Sequence, residues 1–203
     1  MGIRNRNDGF GDNMKKLLKK ILSFPIIFFH RYNRVISDYI GSLEVKNYSH
    51  SSKIIRTFKD DDLIRVLELY EEGFGNKNSS QIVKYSKLFR NVFYVYEIDG
   101  EIVGYLGFYV HQKFRVMKII QIATAFSGSV DSRIRGQGIF TTLYSESLSE
   151  LKRNNVQAVY GFIDVNNYHS LSIHNKLGYK IIQQVRGICD AENCYKVELV
   201  FNR

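Results

Sequence analysis

A chain of 203 residues with 44% hydrophobic content buries one sizeable core and leaves room for an added segment, so one domain with an extension is expected. Its net charge of +9 is held unevenly: residues 1–56 carry 11 Lys/Arg against 4 Asp/Glu, and residues 57–203 carry 18 against 16. That division excludes a domain surface built for a polyanion and leaves only a basic arm, so no nucleic-acid partner is expected.

Residues 1–53 read as a basic amphipathic N-terminal extension. Met14, Leu17, Leu18, Ile21 and Leu22 recur at helical spacing, with Lys15, Lys16, Lys19 and Lys20 on the opposite face. Pro25 ends or kinks that helix, and the greasy run from Phe24 to Phe29 is far short of the roughly 20 apolar residues a spanning helix needs. No small-residue cleavage site follows Phe29, so a secretory signal fits poorly and a cytoplasmic location is expected. Two readings of residues 14–29 stand: peripheral docking on anionic lipid at the inner face of the membrane, or packing of the apolar face on the domain or on another copy.

Residues 54–203 read as the domain. A short strand from Ile54 to Phe58 precedes a helix opened by Asp60, Asp61 and Asp62, with Leu63, Val66, Leu67, Tyr70 and Phe74 on one face. A second helix is predicted from Ser80 to Phe89. Strands from Val92 to Ile98 and from Glu101 to Val110 are joined by Asp99-Gly100, a strong hairpin signal. Ile119 to Val130 supplies the next strand. A helix from Ile139 then buries Ile139, Phe140, Leu143, Leu148 and Leu151, and Val156 to Val165 is again a strand. A short helix from Asn167 to Leu177 stops at Gly178, and Tyr179–Gly187 and Tyr195–Phe201 close the chain as a hairpin. This order predicts an α+β fold, a mixed and mostly antiparallel central sheet with helices on both faces. Cys189 and Cys194 flank the last turn without a second Cys pair or nearby His, so no metal site is expected. Two reduced thiols are expected, with a cross-strand disulfide as the alternative.

The stretch with most chemical content is Arg133-Ile134-Arg135-Gly136-Gln137-Gly138, between a strand ending at Val130 and a helix opening near Ile139. Two glycines one residue apart let successive backbone N–H groups turn toward one anion at a helix N-terminus, and Arg135 adds a planar cation suited to phosphate oxygens. The spacing fits neither a P-loop nor a dinucleotide fingerprint. A diphosphate is the expected ligand.

From residue 54 to residue 203 the order of elements resembles the GNAT acyltransferase superfamily. Its Arg/Gln-x-x-Gly-x-Gly/Ala signature is similar to Arg133, Gly136 and Gly138, and Val130 stands where the family has a strand-ending Val. A second block of the family resembles Asn167, Ser170, His174 and Lys176-Leu177-Gly178-Tyr179. The resemblance implies that the diphosphate belongs to acetyl-CoA, the acyl donor. It implies that backbone N–H groups of Ile134, Arg135, Gly136, Gln137, Gly138 and Ile139 hold the pyrophosphate, that the pantetheine arm pairs with the strand end at Gly128 to Val130, and that Asn167 bonds a pantetheine amide.

His174 stands in place of the family's frequent Tyr, which protonates the departing thiolate. Asn167, Ser170 and His174 share one helix face, so an imidazolium could donate that proton; the alternative is that water does. Glu97, Asp131 and Asp164 are candidate bases for the acceptor amine, and Tyr105, Phe108 and Tyr109 are candidate acceptor-side aromatics. The function implied is an N-acyltransferase moving acetyl from acetyl-CoA to a primary amine. A small-molecule or glycan amine is the expected acceptor; the basic arm draws attention to amino sugars of surface-glycan precursors, with proteins and small polyamines equally open. The alternative is an acyl-CoA-binding or membrane-tethered module without catalysis.

Overall fold

In the computed structural model the described residues are 34, 36–45, 54–75, 79–115, 118–187 and 192–201. The chain divides into two compact units, Met1–Ser37 and Asp38–Arg203, and the second is described below. The segment 14–29 lies outside the described residues. In the second unit, α1 (helical residues 38–44) precedes β1 (Ile55–Thr57), α2 (Leu63–Phe74), α3 (Ser79–Leu88), β2 (Phe93–Ile98), β3 (Glu101–Arg115), β4 (Lys118–Val130), α4 (Ile139–Arg153), β5 (Val156–Asp164), α5 (Tyr168–Lys176), β6 (Lys180–Arg186) and β7 (Asn193–Val200).

The strands form one seven-stranded sheet in the order β1-β2-β3-β4-β5-β7-β6, in which β4 and β5 are the parallel neighbours. The predicted hairpin turn has positive φ at both Asp99 (50°) and Gly100 (82°), the backbone a two-residue turn needs to match strand twist. On one face of the sheet α4 packs Leu143, Tyr144, Leu148 and Leu151 against Tyr94, Phe108 and Val159. On the other, α2 packs Val66, Leu69 and Tyr70 against Phe93, Val95 and Tyr105. Each large side chain so buried contributes about 1.5–3 kcal/mol.

The strand expected to stop at Val110 continues to Arg115, paired with β4 as far as Arg115↔Lys118. The reason lies in α1. Strand β2 begins at Phe93, opposite Gly107, so the edge of β3 beyond Gly107 lacks a strand partner on that side. Residues 38–45, read from sequence as part of the extension, cover that edge. The Val110 N–H donates to Ser42 Oγ at 3.0 Å, Asn91 Nδ2 donates to the Val45 carbonyl at 3.3 Å, and Gln112 and Gln121 both donate to the Glu44 carboxylate. Gly41 allows the approach: a Cβ there would lie 2.4 Å from the Val110 carbonyl oxygen.

The β3–β4 register slips between Gly107↔Ser127 and Phe108↔Ala125, so Phe126 is an extra residue on β4. Its ring packs among Tyr85, Phe89, Phe93 and Tyr109. Cys194 is disulfide-bonded and fully buried, which corrects the expectation of reduced thiols; Cys189, the chain's other cysteine, lies outside the described residues. Pairing on both sides holds Cys194 in the ladder, opposite Asp164 of β5 and Val185 of β6. Among the described residues no helix is long and apolar enough to cross a membrane.

Candidate active site

The site begins where β4 and β5 part. They pair from Gln121↔Val156 to Thr124↔Tyr160 and no further. Beyond that point β4 stays with β3 as far as Val130↔Gly104, while β5 stays with β7 as far as Asp164↔Cys194. The inner edges of residues 125–130 and 161–164 are thereby left without strand partners, each strand being held by its outer neighbour. Main-chain donors and acceptors along such an edge need partners, and an extended ligand bearing amides supplies them.

At the mouth of this gap β4 ends in Val130, whose buried side chain clusters with Val103 and Ile139 and touches half-buried Ile134. Asp131 follows, caps the turn Ser132–Ile134 by accepting from the Arg133 N–H at 2.9 Å, and is buried. Arg65 and Arg133 each place a guanidinium nitrogen 2.5 Å from its Oδ2. The hydrogen bonds from Arg133 hold the carboxyl well below the usual carboxylate range. Asp131 is an anchor for the loop. It lacks the free lone pairs and the basicity of a general base.

Arg133 spends its side chain on Asp131 and on Glu101, at 2.9 Å. Arg135 is exposed and turns its Nε to the Val130 carbonyl at 3.0 Å, so its charge lies beside the strand end. Gly136 and Gly138 have φ of 83° and 79°, and a Cβ on either would meet nothing within 4 Å. Glycine is required there by backbone conformation, and the space in front of both residues is open to a ligand. The Ile134 N–H donates to the Asp131 carbonyl at 3.2 Å, so the amides available to an anion begin one residue later than expected, at Arg135. They run through Gly136, exposed Gln137 and Gly138 into the first turn of α4, whose N–H groups have no intrahelical acceptor. Buried Ile139 fixes that turn to the core. Arg135, two glycines of positive φ with open space before them, and the N-terminus of α4 adjoin along this exposed loop, a chemistry compatible with an anion such as a diphosphate.

Across the gap, Asn167 caps α5 by accepting from the Ser170 N–H at 3.0 Å, which leaves its exposed Nδ2 to donate to a ligand amide. His174, on the same face, is buried. Its Nδ1 lies 2.8 Å from the Ser170 carbonyl, which only accepts, so Nδ1 carries the proton. Nε2 then accepts from the Tyr144 hydroxyl at 3.1 Å, and Tyr179 donates to the Tyr144 oxygen at 3.2 Å. Burial lowers the imidazole pKa and raises those of both tyrosines. Burial disfavours the imidazolium suggested by the sequence, and the neutral ring with its proton on Nδ1 turns that N–H into its own helix. It lies beside the gap, because a Cβ at Gly161 would come 3.6 Å from its Nε2.

The other candidate carboxylates are also engaged. Glu97 is held by Arg56 at 2.7 Å, and Asp164 accepts from the Asn166 N–H at 2.8 Å. Tyr105 and Phe108 are fully buried in the core, with the Tyr105 hydroxyl 2.8 Å from Ser127 Oγ, and Tyr109 packs on Phe126 and Phe89. Sequence reasoning missed Arg65 and Tyr144, each of which sits in a helical pattern that core packing or a solvated face already explains, and it named Tyr179 only as part of the second motif block. Among the described residues no cluster of His, Cys, Asp or Glu is arranged to hold a metal.

Residues 59–179 match the acetyltransferase (GNAT) family, and the chain belongs to it. An N-alpha-acetyltransferase of Sulfurisphaera tokodaii is 29% identical over 119 residues, covering 56% of this chain and 71% of the relative. One from Saccharolobus solfataricus is 27% identical over the same length and the same shares. The crystal structure of Ard1 from Thermoplasma volcanium superposes with a TM-score of 0.63 at 20% identity, covering 73% of this chain and 97% of that one. Arabidopsis thaliana Naa50, in complex with the bisubstrate analogue CoA-Ac-MVNAL, gives 0.61 at 16% identity, over 72% and 97%. The protein is an acetyl-CoA-dependent N-acetyltransferase.

Proposed function

We propose that the acceptor is the α-amine of a protein or peptide N-terminus, acetylated within the cell. The observation that carries this reading is the engagement of the candidate carboxylates: Glu97 and Asp131 are paired with arginines, and Asp164 accepts the Asn166 N–H. Removing the proton from a lysine-like amine with a pKa near 10.4 costs about 4.6 kcal/mol at pH 7, whereas an α-amine near 7.7–8.0 costs about 1 kcal/mol. With these three carboxylates so engaged, the amine that gives up its proton most readily is favoured. The names of the curated relatives point the same way. The amino-sugar acceptor has only the basic arm to recommend it, and the N-alpha-acetyltransferases this chain resembles do not support it.

Bound acetyl-CoA supplies the activated thioester. The loop amides from Arg135 onward hold its diphosphate, the free inner edge of β4 aligns the pantetheine arm, and Asn167 Nδ2 bonds an arm amide. The neutral amine attacks the carbonyl carbon; the C–N bond forms, the C–S bond breaks, and backbone N–H groups of β4 steady the carbonyl oxygen. The proton lost by nitrogen passes to water, and the thiolate takes one from water. His174 is a positioning residue in this scheme, tying α5 to α4 so that Asn167 faces the gap. The test offers the full chain acetyl-CoA with peptides bearing a free α-amine, with Nα-blocked peptides bearing lysine, and with glucosamine, following thiol release. Faster turnover of the first group is expected. Preference for either of the others overturns the assignment.

A further inference from the structure

Helix α1 is amphipathic in the opposite sense to a core helix. The side it turns to the domain carries Asp38, Gly41, Ser42 and Val45, all buried. The side it turns outward carries Tyr39, Ile40 and Leu43, which are 39%, 47% and 54% exposed and lie within about 100° of arc at 100° per residue. Gly41 and Ser42 are needed inward, because a larger residue at 41 strikes the Val110 carbonyl and Ser42 Oγ takes the Val110 N–H. The outward apolar residues have no such explanation within the described residues of this unit.

Tyr39 and Leu43 line one side of a groove whose other side is Lys84, Lys87, Leu88, Arg90 and Asn91. Lys84, Lys87 and Arg90 are exposed, and the groove lining includes no carboxylate; Asp60 stands 3.5 Å from Arg90, and Glu44 of α1 is held by Gln112 and Gln121. An occupant must therefore accept aliphatic and aromatic side chains and also bring negative charge. The sequence preceding α1 does not bring it: residues 1–37 carry 8 Lys/Arg against 2 Asp/Glu. A second copy of the chain would set the same cations against each other. Exposed Tyr, Ile and Leu beside lysines and an arginine match an anionic bilayer surface, where apolar side chains enter the headgroup boundary and cations remain at the phosphates. The segment leading into α1 has the same composition, with Lys15, Lys16, Lys19 and Lys20 among aliphatic residues and then Phe24 to Phe29.

We infer that the face formed by Tyr39, Ile40 and Leu43 of α1, with Lys84, Lys87 and Arg90 beside it, seats this protein on an anionic lipid surface. This goes beyond acetyl transfer and does not depend on it. The test is flotation of the full chain with vesicles of phosphatidylglycerol in phosphatidylcholine, against phosphatidylcholine alone, at low and high salt. The wild type floats with the anionic vesicles and is released by salt. The triple variant Tyr39→Ser, Ile40→Ser, Leu43→Ser partitions about tenfold less or weaker still. Reversing Lys84, Lys87 and Arg90 to Glu lowers partitioning on the order of a hundredfold or more. Unchanged acetyl-CoA binding in both variants shows that the domain is intact. A wild type that stays with neither vesicle, or variants that float as well as it does, overturns the inference; the second outcome would assign lipid contact to residues outside this face.

Discussion

The Tyr144 hydroxyl lies 3.1 Å from Nε2 of His174, and burial of the ring favours its neutral form, in which Nε2 accepts from that hydroxyl. Burial sets the folded pKa of His174 below its ordinary value of 6.5. The unfolded chain therefore binds the proton first. Stability is complete above about pH 6.5 and is lost as pH falls below it, by up to about 1.4 kcal/mol per pH unit for one proton. His174→Gln keeps an acceptor for Tyr144 and removes the titration. Urea unfolding between pH 5 and pH 8 is expected to show a shallower acid decline in the variant, and parallel curves would contradict the assignment.

The two arginines on Asp131 are unequal. The Arg65 side chain is 22% exposed and also donates to the Ile102 carbonyl at 3.1 Å, whereas the Arg133 side chain is 68% exposed. Asp131→Ala leaves Arg65 without its buried partner and is expected to cost about 3–5 kcal/mol. Arg133→Ala removes a solvent-screened surface partner and is expected to cost the least of the three. Arg65→Ala falls between them. Denaturant midpoints at pH 7 check the order, and a variant at Arg133 more damaging than one at Arg65 would refute it.

Gly136 and Gly138 have positive φ with open space before them, so Val at either position costs about 1–2 kcal/mol of backbone strain and also blocks the anion's approach. Gly187, with φ of 66° and equally open space, is the control. Gly187→Val is expected to cost comparable stability and leave acetyl-CoA affinity unchanged, while Gly136→Val and Gly138→Val weaken it at least about tenfold. Calorimetric titration with acetyl-CoA decides; equal affinities in all three variants would remove the loop from the site.

Gly41→Ala places a Cβ 2.4 Å from the Val110 carbonyl oxygen, and backbone meets backbone there, so α1 must shift. Overpacking of this kind costs about 1–3 kcal/mol. A lower melting temperature together with faster amide exchange at Val110 is expected. A melting temperature equal to that of the wild type would show that α1 does not bear on the edge of β3.

Most of the sheet and the backbone of the glycine loop were legible in the sequence because local rules decide them. Asp99-Gly100 and the glycines at 136 and 138 adopt the positive φ that their residue types favour, and strand and helix periods carried β2 to β5 and α4. Non-local facts were not legible. Docking of α1 turns on a missing Cβ meeting a strand 69 residues later, and its apolar residues point outward, against the usual reading of a helical stripe. His174 was placed on the correct helix face. Its burial, however, depends on packing against Tyr144, 30 positions upstream, and against Tyr179. Asp131 read as a candidate base until Arg65, 66 positions away in sequence, was found on its carboxylate.

Acetyl-CoA is expected to lie along the free inner edge of β4 with its diphosphate on the amides that begin at Arg135. Hydrogen–deuterium exchange of the full chain, with and without saturating acetyl-CoA, tests it most directly. Slower exchange concentrated at residues 126–130 and 135–140, with lesser protection at the start of α5, is the expected result. Acetyl-CoA that leaves both segments exchanging at their free rates, or that protects a different surface, would contradict the account.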